Sequence, residues 1–180
     1  MKAELKDWIS ATANLRVRQK ERGILEDNRQ LENVLRDYRL HLMKCNVGES
    51  VLDVGCGGQF LKEKLPDNVK QYIGIDAFPI DGIETIKMAI EDDEALQFSV
   101  DSVCFMAILD NCLDFNKAIT NAKKIAKKNI IILTGINIEV DKFHTFKLQL
   151  EDYDSRFEDW ENTHREELQP KVWLLCYSRK

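Results

Sequence analysis

The sequence predicts an open, largely parallel α/β sheet, and three observations carry that prediction. First, short apolar segments rich in β-branched residues alternate with segments of helical periodicity. Second, the runs Asp101–Leu109 (DSVCFMAIL) and Asn129–Thr134 (NIIILT) are almost continuously apolar, which is typical of strands buried on both faces. Third, the apolar run Val51–Val54 breaks directly into the glycine-rich turn that starts at Gly55, as a strand does before a ligand-binding loop.

The predicted elements follow one another in an order that suits such a sheet. Residues 2–44 have helical spacing and many arginines and lysines, with a predicted break at Gly23 and Asp27-Asn28. After the turn at residues 46–48, we expect strands at 51–54, 71–75, 83–90, 101–109, 129–134, 162–168 and 171–177, helices at 60–65, 116–128 and 151–160, and an acidic loop at 91–94.

Size, charge and cysteine content exclude several classes of protein. A chain of 180 residues fits one domain, and a net charge of -5 argues against a dedicated nucleic-acid binder. The five cysteines are scattered without a CxxC pair, which argues against a disulfide framework or a metal site and favours a reducing compartment. No apolar run has the length of a membrane span, and the start MKAELKDWIS lacks a signal-peptide core. We therefore expect a cytoplasmic protein with no membrane partner.

The glycine turn in VLDVGCGGQF (residues 51–60) points to a ligand that carries adenosine. A nicotinamide dinucleotide fingerprint needs a third glycine where Phe60 stands, and the carboxylate of Asp53 would repel a pyrophosphate. S-adenosylmethionine has no phosphate and carries a cationic sulfonium and an ammonium, which an acid in that place suits. Asp76 closes the second strand 19 positions after Gly57 and is placed to bind two ribose hydroxyls of either ligand. Asp53 and Phe60 therefore favour S-adenosylmethionine and disfavour a nicotinamide-dependent oxidoreductase.

Three stretches together resemble the class I S-adenosylmethionine-dependent methyltransferases of the small-molecule type. They are VLDVGCGG, YIGID and DSVCFMAILDNCLDFNKAITNAKKIAKKNIIIL, and the similarity spans residues 51–134. The resemblance implies a doubly wound, mostly parallel seven-stranded sheet with an antiparallel last strand at 171–177. It further implies a single domain, residues 1–180, in which 1–46 form a helical N-terminal extension or lid and 47–180 a Rossmann-like core.

The resemblance also implies which residues bind the cofactor. Asp53, Gly55 and Gly57 would lie by the methionine moiety with Cys56 in the same turn, Asp76 by the ribose, Ala77 and Phe78 by the adenine, Asp92 or Asp93 by its amino group, and Phe105 and Met106 by the sulfonium. Two positions depart from the family pattern. Gln59 stands where the third glycine is common, and Asn111 stands where many members have a histidine that could act as a base.

Three residues are candidates for catalysis, each with a simpler structural alternative. Asp110 and Asn111 end the fourth strand, where acceptor chemistry takes place in this architecture, but they could equally cap the following turn. His144 follows the fifth strand, and a neutral imidazole there could take a proton from a hydroxyl, although a lone histidine is often a surface or packing residue.

The expected activity is transfer of the methyl group of S-adenosylmethionine to an oxygen of a sugar or other small metabolite, with S-adenosylhomocysteine as product. Because the leaving group is already charged, the protein mainly supplies alignment and desolvation. Two alternatives stay open: a catalytically inactive binding or structural protein with the same fold, and a methyltransferase that acts on nucleic acid or protein. LDNC stands where base-modifying enzymes carry an Asn/Asp-Pro-Pro-aromatic motif, so methylation of base amino groups is disfavoured. We also expect Asp76→Ala to abolish cofactor binding and leave the fold intact.

Overall fold

The computed structural model describes residues 1–22 and 38–180. The predicted break at Gly23 and Asp27-Asn28 lies outside the described residues. The helices are α1 (Leu5–Arg22), α2 (Tyr38–Lys44), α3 (Phe60–Lys64), α4 (Phe115–Ile125) and α5 (Leu150–Asp154), with short 3₁₀ helices at Asp93–Gln97 and Leu109–Asn111. The strands are β1 (Ser50–Val54), β2 (Gln71–Asp76), β3 (Ile86–Lys87), β4 (Val100–Met106), β5 (Ala126–Gly135), β6 (Trp160–Gln169) and β7 (Val172–Arg179).

The strands form one seven-stranded sheet in the order β3-β2-β1-β4-β5-β7-β6. Strands β1 to β5 are mutually parallel, and β7 is antiparallel to both β5 and β6. This confirms the predicted α/β sheet, its seven strands and its antiparallel last strand. Strand order reverses between β1 and β4, and a ligand crevice in such sheets opens at the carboxyl ends of the strands beside that reversal.

Apolar side chains of the strands point alternately to two clusters, one on each face of the sheet. On one face, Leu52 packs in a cluster with Phe115 and Ile119 of α4. On the other face, Val51 packs in a cluster with Leu42 of α2 and Phe60 of α3. The period-2 alternation of β1 thus places helices on both sides of the sheet, which makes the fold doubly wound.

Two of the predicted strands are shorter in the structure than the sequence indicated. Of the strand predicted at 83–90, only Ile86 and Lys87 pair with β2, and both side chains are exposed at the edge of the sheet. The predicted strand 101–109 ends instead at Met106, because Ala107 adopts a left-handed φ of 56° and a 3₁₀ turn follows. That turn carries the chain across the open end of the sheet, where the crevice lies.

The prediction of a helix at 151–160 is also wrong beyond Asp154. Gln149 and Asp152 form a capping box that starts α5, but the helix ends after five residues. Phe157 is buried and its ring stacks on Tyr177 at a centroid distance of 4.0 Å. This aromatic packing on the sheet replaces the amphipathic helix that the sequence pattern indicated.

The N-terminal segment is fastened beside the open end of the sheet. Ala3 N donates to Leu113 O at 2.8 Å, and Phe115 N donates to Met1 O at 3.1 Å. These backbone bonds fix the start of α1 at the loop that leads into α4. No helix in the described parts of the chain is both long and apolar enough to cross a membrane.

Candidate functional site

A cavity of about 390 Å³ lies at the carboxyl ends of β1, β2 and β4. Its walls are residues 53–58, 76–78, 88–91 and 105–112, and side chains of α1 and His144 also line it. The volume falls within the range of small-molecule sites in proteins. The cavity is therefore the candidate site, at the place where the reversal of strand order predicts one.

The glycine turn is held by the neighbouring strand. Gly55 N and Cys56 N both donate to Ile75 O, at 2.8 and 3.1 Å. Gly55 has a φ of +66°, and a Cβ on it would lie 2.5 Å from Cγ1 of Ile108, so only glycine fits. The departure at Gln59 is accommodated by the same backbone form, since Gln59 itself is left-handed with a φ of 59°. A residue other than glycine there costs on the order of 1–2 kcal/mol.

The carboxylate of Asp76, at the end of β2, contacts the glycine turn and accepts three hydrogen bonds. Its Oδ2 accepts from Gly57 N at 3.1 Å, and its Oδ1 accepts from Phe78 N at 2.8 Å. Oδ1 also accepts from Arg16 Nη2 of α1 at 2.7 Å. Asp76 therefore connects the glycine turn, the following loop and the N-terminal helix.

The Asp53 carboxylate is buried in the cavity wall with fewer partners. Oδ2 accepts from the hydroxyl of Tyr72 at 2.8 Å, whereas Oδ1 is buried and has no hydrogen-bond partner among the described residues. Burial raises the pKa of Asp53 to about 7, and the charge of Asp76 adds to the rise while the Tyr72 hydroxyl opposes it. An unsatisfied buried carboxylate oxygen is costly, and a cationic ligand group beside it would remove that cost.

Arg16 is one of two site residues that the sequence analysis did not identify. Besides its ion pair with Asp76, its Nε donates to Phe78 O at 2.7 Å and its Nη1 bonds Gln19 of the same helix. The guanidinium thus lies where the resemblance puts the ribose and adenine. The sequence showed α1 as basic, but nothing in its spacing distinguished Arg16 from the other arginines.

The remaining cofactor candidates separate into two groups. Ala77, Phe78, Phe105 and Met106 line the cavity, as does Cys56, whose pKa burial raises to about 11. Asp92 and Asp93 do not line it: Asp92 Oδ2 accepts from Ala89 N at 2.8 Å, and Asp93 pairs with Lys117 at 3.0 Å.

The acid that lines the cavity in this segment is Glu91. Its Oε1 accepts from Leu113 N at 2.8 Å and from Asp114 N at 3.2 Å, and burial raises the pKa of Glu91. The sequence analysis predicted one acidic loop at residues 91–94. Only the fold shows that Glu91 is buried, whereas the other three acids are exposed.

Asp110, Asn111 and His144 come together at one end of the cavity. His144 Nε2 lies 3.9 Å from Asp110 Oδ2, and His144 Nδ1 lies 2.8 Å from Asp141 Oδ1. Burial raises the pKa of Asp110, although the neighbouring His144 lowers it. Because Asp141 is the closer and more exposed carboxylate, it can hold a proton on Nδ1 and leave Nε2 as an acceptor toward the cavity.

Backbone bonds hold that loop in place. Thr145 N and Phe146 N donate to Asp110 O at 2.8 and 3.0 Å, which fixes the segment around His144 on the 3₁₀ turn. Trp8 Nε1 donates to Asn111 O at 2.8 Å, and its ring meets Phe78 edge-on at 5.2 Å. Helix α1 therefore spans the cavity from the acceptor end to the ribose end.

Comparisons with known proteins agree with this geometry. Magnesium protoporphyrin IX methyltransferase (ChlM) of Synechocystis PCC 6803, solved with S-adenosylhomocysteine bound, superposes with a TM-score of 0.67 at 13% identity, covering 97% of each chain. The 1,6-didemethyltoxoflavin-N1-methyltransferase of Burkholderia thailandensis has a TM-score of 0.67 at 10% identity, covering 99% of this chain and 91% of that one. The N-methyltransferase NodS of Bradyrhizobium japonicum WM9 has a TM-score of 0.64 at 16% identity, covering 82% and 97%.

No family model and no curated protein matches the sequence. At identities of 10%, 13% and 16%, the structural likeness establishes the architecture and leaves the activity to be argued from the site. The strand order, the glycine turn and the acids at the ends of β1 and β2 agree with that architecture. The chain has the fold of the class I S-adenosylmethionine-dependent methyltransferases.

Proposed function

We propose that this protein is a methyltransferase that uses S-adenosylmethionine and acts on an oxygen of a small molecule such as a sugar or other metabolite. The observation that carries the proposal is the pair of acids beside the glycine turn, Asp53 at the end of β1 and Asp76 at the end of β2. Asp53 has a buried oxygen without a partner, and Asp76 accepts from the turn itself. The first suits a cationic group and the second suits two hydroxyls, which is the combination that S-adenosylmethionine offers.

The residues present fit that cofactor on physical grounds. Gly57 N and Phe78 N hold the Asp76 carboxylate in a fixed orientation, so that it can accept from ribose hydroxyls once Arg16 has turned away. Ala77 and Phe78 supply an apolar edge for a purine. When bound, the cofactor supplies a methyl group on a positively charged sulfur, and the Phe105 and Met106 end of β4 would provide the apolar surroundings.

The protein's own residues would then position the acceptor and receive its proton. His144 Nε2 and Asp110 line the same cavity as Asp76, beside α1 and the segment that carries His144. Two contacts of α1 reinforce this enclosure: Asn14 Nδ2 donates to Lys142 O at 3.1 Å, and Arg18 lies 4.7 Å from the centre of the Phe143 ring. An imidazole that Asp141 orients is suited to take a proton from a hydroxyl, a role worth roughly 10²–10⁴ in rate.

Calorimetric titration with S-adenosylhomocysteine tests the cofactor assignment. We expect saturable binding by the wild-type protein and weaker binding by Asp76→Asn than by Arg16→Ala, because both variants lose the ion pair but only the first also lacks the carboxylate that accepts two hydroxyls. Asp67→Asn is the matched control, since Asp67 is almost fully exposed. Asparagine is a better replacement than alanine, because Asp76 is only 5% exposed and alanine would leave its backbone donors without an acceptor. Absence of binding at millimolar ligand would refute the proposal.

Transfer itself is tested with cofactor labelled at the methyl group, incubated with metabolite fractions in which labelled products are identified. We expect His144→Ala to lower the transfer rate and to leave the affinity for S-adenosylhomocysteine unchanged. If that variant keeps full activity, His144 is not the base. Label that appears on nitrogen instead of oxygen would correct the acceptor atom.

One observation favours the second candidate function, a non-catalytic protein of the same fold. Arg16 forms an ion pair with the Asp76 carboxylate, which is the group that would bind the ribose hydroxyls. If the ion pair between Arg16 and Asp76 is permanent, the cavity holds no cofactor and α1 is a fixed part of the wall. The same titration tests this alternative, because a cavity that the ion pair closes permanently binds no cofactor.

A further inference from the structure

A cluster of three metal-binding side chains lies outside the cavity and has no part in the proposed function. It consists of His41 in the last turn of α2 and of His164 and Glu166 on β6, and we name it the His–His–Glu cluster. We propose that the cluster binds one divalent cation of the zinc type and thereby fastens α2 to the C-terminal hairpin. The absence of a CxxC pair led us to predict that the protein has no metal site. The spacing of His41, His164 and Glu166 in the sequence did not indicate this cluster.

A β-bulge directs two of these side chains to the same helix. The register between β6 and β7 shifts between Asn162 and His164, so His164 pairs with Cys176 and Glu166 pairs with Leu174. Residues paired directly across two strands point to the same face. Cys176 and Leu174 belong to the apolar cluster that contains Leu42 of α2. Without the bulge, His164 would pair with Leu175 and point to the opposite face of the sheet.

The distances between the candidate ligand atoms suit a four-coordinate ion. Oε2 of Glu166 lies 3.4 Å from Nδ1 of His41 and 3.2 Å from Nε2 of His164. All three residues offer ligand atoms within 4.8 Å of one another. A tetrahedral zinc ion with bonds of 2.0–2.2 Å separates its ligands by about 3.3–3.6 Å. Two of the three separations lie in or close to this range, and the third, between the two histidines, is no more than 4.8 Å.

Burial and chemistry indicate both the kind of ion and its route of entry. The His41 side chain is 9% exposed and that of His164 is 18% exposed, whereas Glu166 is 41% exposed. Nε2 of His164 is buried and makes no well-directed hydrogen bond within the described residues, although Glu166 lies close by. Two imidazoles and one carboxylate suit zinc, cobalt or nickel and not magnesium or calcium, which prefer oxygen ligands.

Lys44 is the group that competes with a cation at this site. Its Nζ lies 3.8 Å from Oε2 of Glu166, and its side chain is 46% exposed. A long, exposed lysine can turn into solvent at little cost, whereas the two histidines are held by the helix and the strand. A bound ion would replace this loose contact and would join residues more than a hundred positions apart in the chain.

The test uses the full-length protein after treatment with a chelator and desalting. Cobalt(II) is titrated while visible absorption is recorded, zinc is then added in competition, and the melting temperature is measured with and without zinc. We expect one equivalent of cobalt to bind with the absorption of a nitrogen- and oxygen-ligated ion, zinc to displace it, and zinc to raise the melting temperature. His164→Asn and Glu166→Gln should each weaken binding at least about tenfold and remove the rise in melting temperature.

Matched controls keep this result independent of folding and of the proposed activity. Glu161→Gln changes an exposed glutamate on the same strand, and His144→Asn changes the histidine at the cavity; both should bind metal like the wild type. Each variant is checked for a native circular dichroism spectrum before titration. The inference is overturned if no equivalent binds, if His164→Asn binds as well as His144→Asn, or if a thiolate-to-cobalt band shows that cysteines hold the ion.

Discussion

Replacing Arg16 by alanine should strengthen the binding of S-adenosylhomocysteine. Arg16 Nη2 lies 2.7 Å from Oδ1 of Asp76, and the two side chains are only 25% and 6% exposed. A charge-assisted hydrogen bond in such surroundings contributes about 1.5–3 kcal/mol. Ribose hydroxyls can use the carboxylate only after Arg16 has left, so this energy is subtracted from the binding energy. We therefore expect Arg16→Ala to lower the dissociation constant by roughly ten- to 150-fold.

Titration calorimetry at low and high salt measures this effect. The matched control is Lys20→Ala, which removes one positive charge from an exposed position of the same helix and should change the affinity by less than about twofold. High salt should also raise the affinity of the wild type for S-adenosylhomocysteine, though by less than the substitution does, because screening weakens a partly exposed ion pair. Weaker binding by Arg16→Ala would refute the reasoning and would identify Arg16 as a ligand-binding residue. Equal binding would mean that the guanidinium and the ligand do not compete.

Two further predictions concern the glycine turn and the acid before it. Because burial raises the pKa of Asp53 from 3.8 to about 7, the folded protein binds this proton more tightly than the unfolded chain does. The free energy of unfolding of the ligand-free protein should therefore fall as pH rises from about 4 to about 7, by roughly 4 kcal/mol from this group. Urea titrations at several pH values measure this dependence, which Asp53→Asn should lack. If the variant shows the same dependence on pH as the wild type, the prediction is wrong. Gly55→Ala should destabilise the fold by about 1–3 kcal/mol, since its Cβ would meet Ile108 in a left-handed backbone. Gly82→Ala is the control, because it shares the positive φ but has open space around it, so a loss equal to that of Gly55→Ala would contradict the steric argument.

The sequence predicted the fold well where burial determines it. The alternation in β1 and the continuous apolar runs of β4 and β5 follow from packing between two helical layers, and both features are visible in the residues themselves. The failures lie where local pattern and tertiary packing diverge. Within residues 83–90, only Ile86 and Lys87 form an edge strand, and residues 88–90 turn into the cavity wall instead. Phe157 lies in a helical pattern of residue types, but its ring stacks on Tyr177.

The candidate site was predictable only in part, for a related reason. Residues that immediately follow β1 and β2 could be placed from the sequence, because parallel strands bring their carboxyl ends to one edge of the sheet. Arg16 and Glu91 could not, since their positions depend on how a helix and a loop fold back over that edge. Likewise, His164 lies close to His41 because of a β-bulge in β6, and the order of residue types in the sequence does not indicate that bulge.

The two acids of the turn are in unequal surroundings, and that inequality bears on which ligand the cavity accepts. Asp76 already receives bonds from Gly57, Phe78 and Arg16, so its charge is compensated whether or not a ligand is present. Asp53 receives one bond from Tyr72 and keeps a buried oxygen without a partner among the described residues. A pyrophosphate beside that oxygen would add repulsion to a carboxylate that already lacks partners, whereas an ammonium or sulfonium would supply the missing charge. The preference for a sulfonium cofactor therefore depends mainly on Asp53, and the contribution of Asp76 is to orient its ribose.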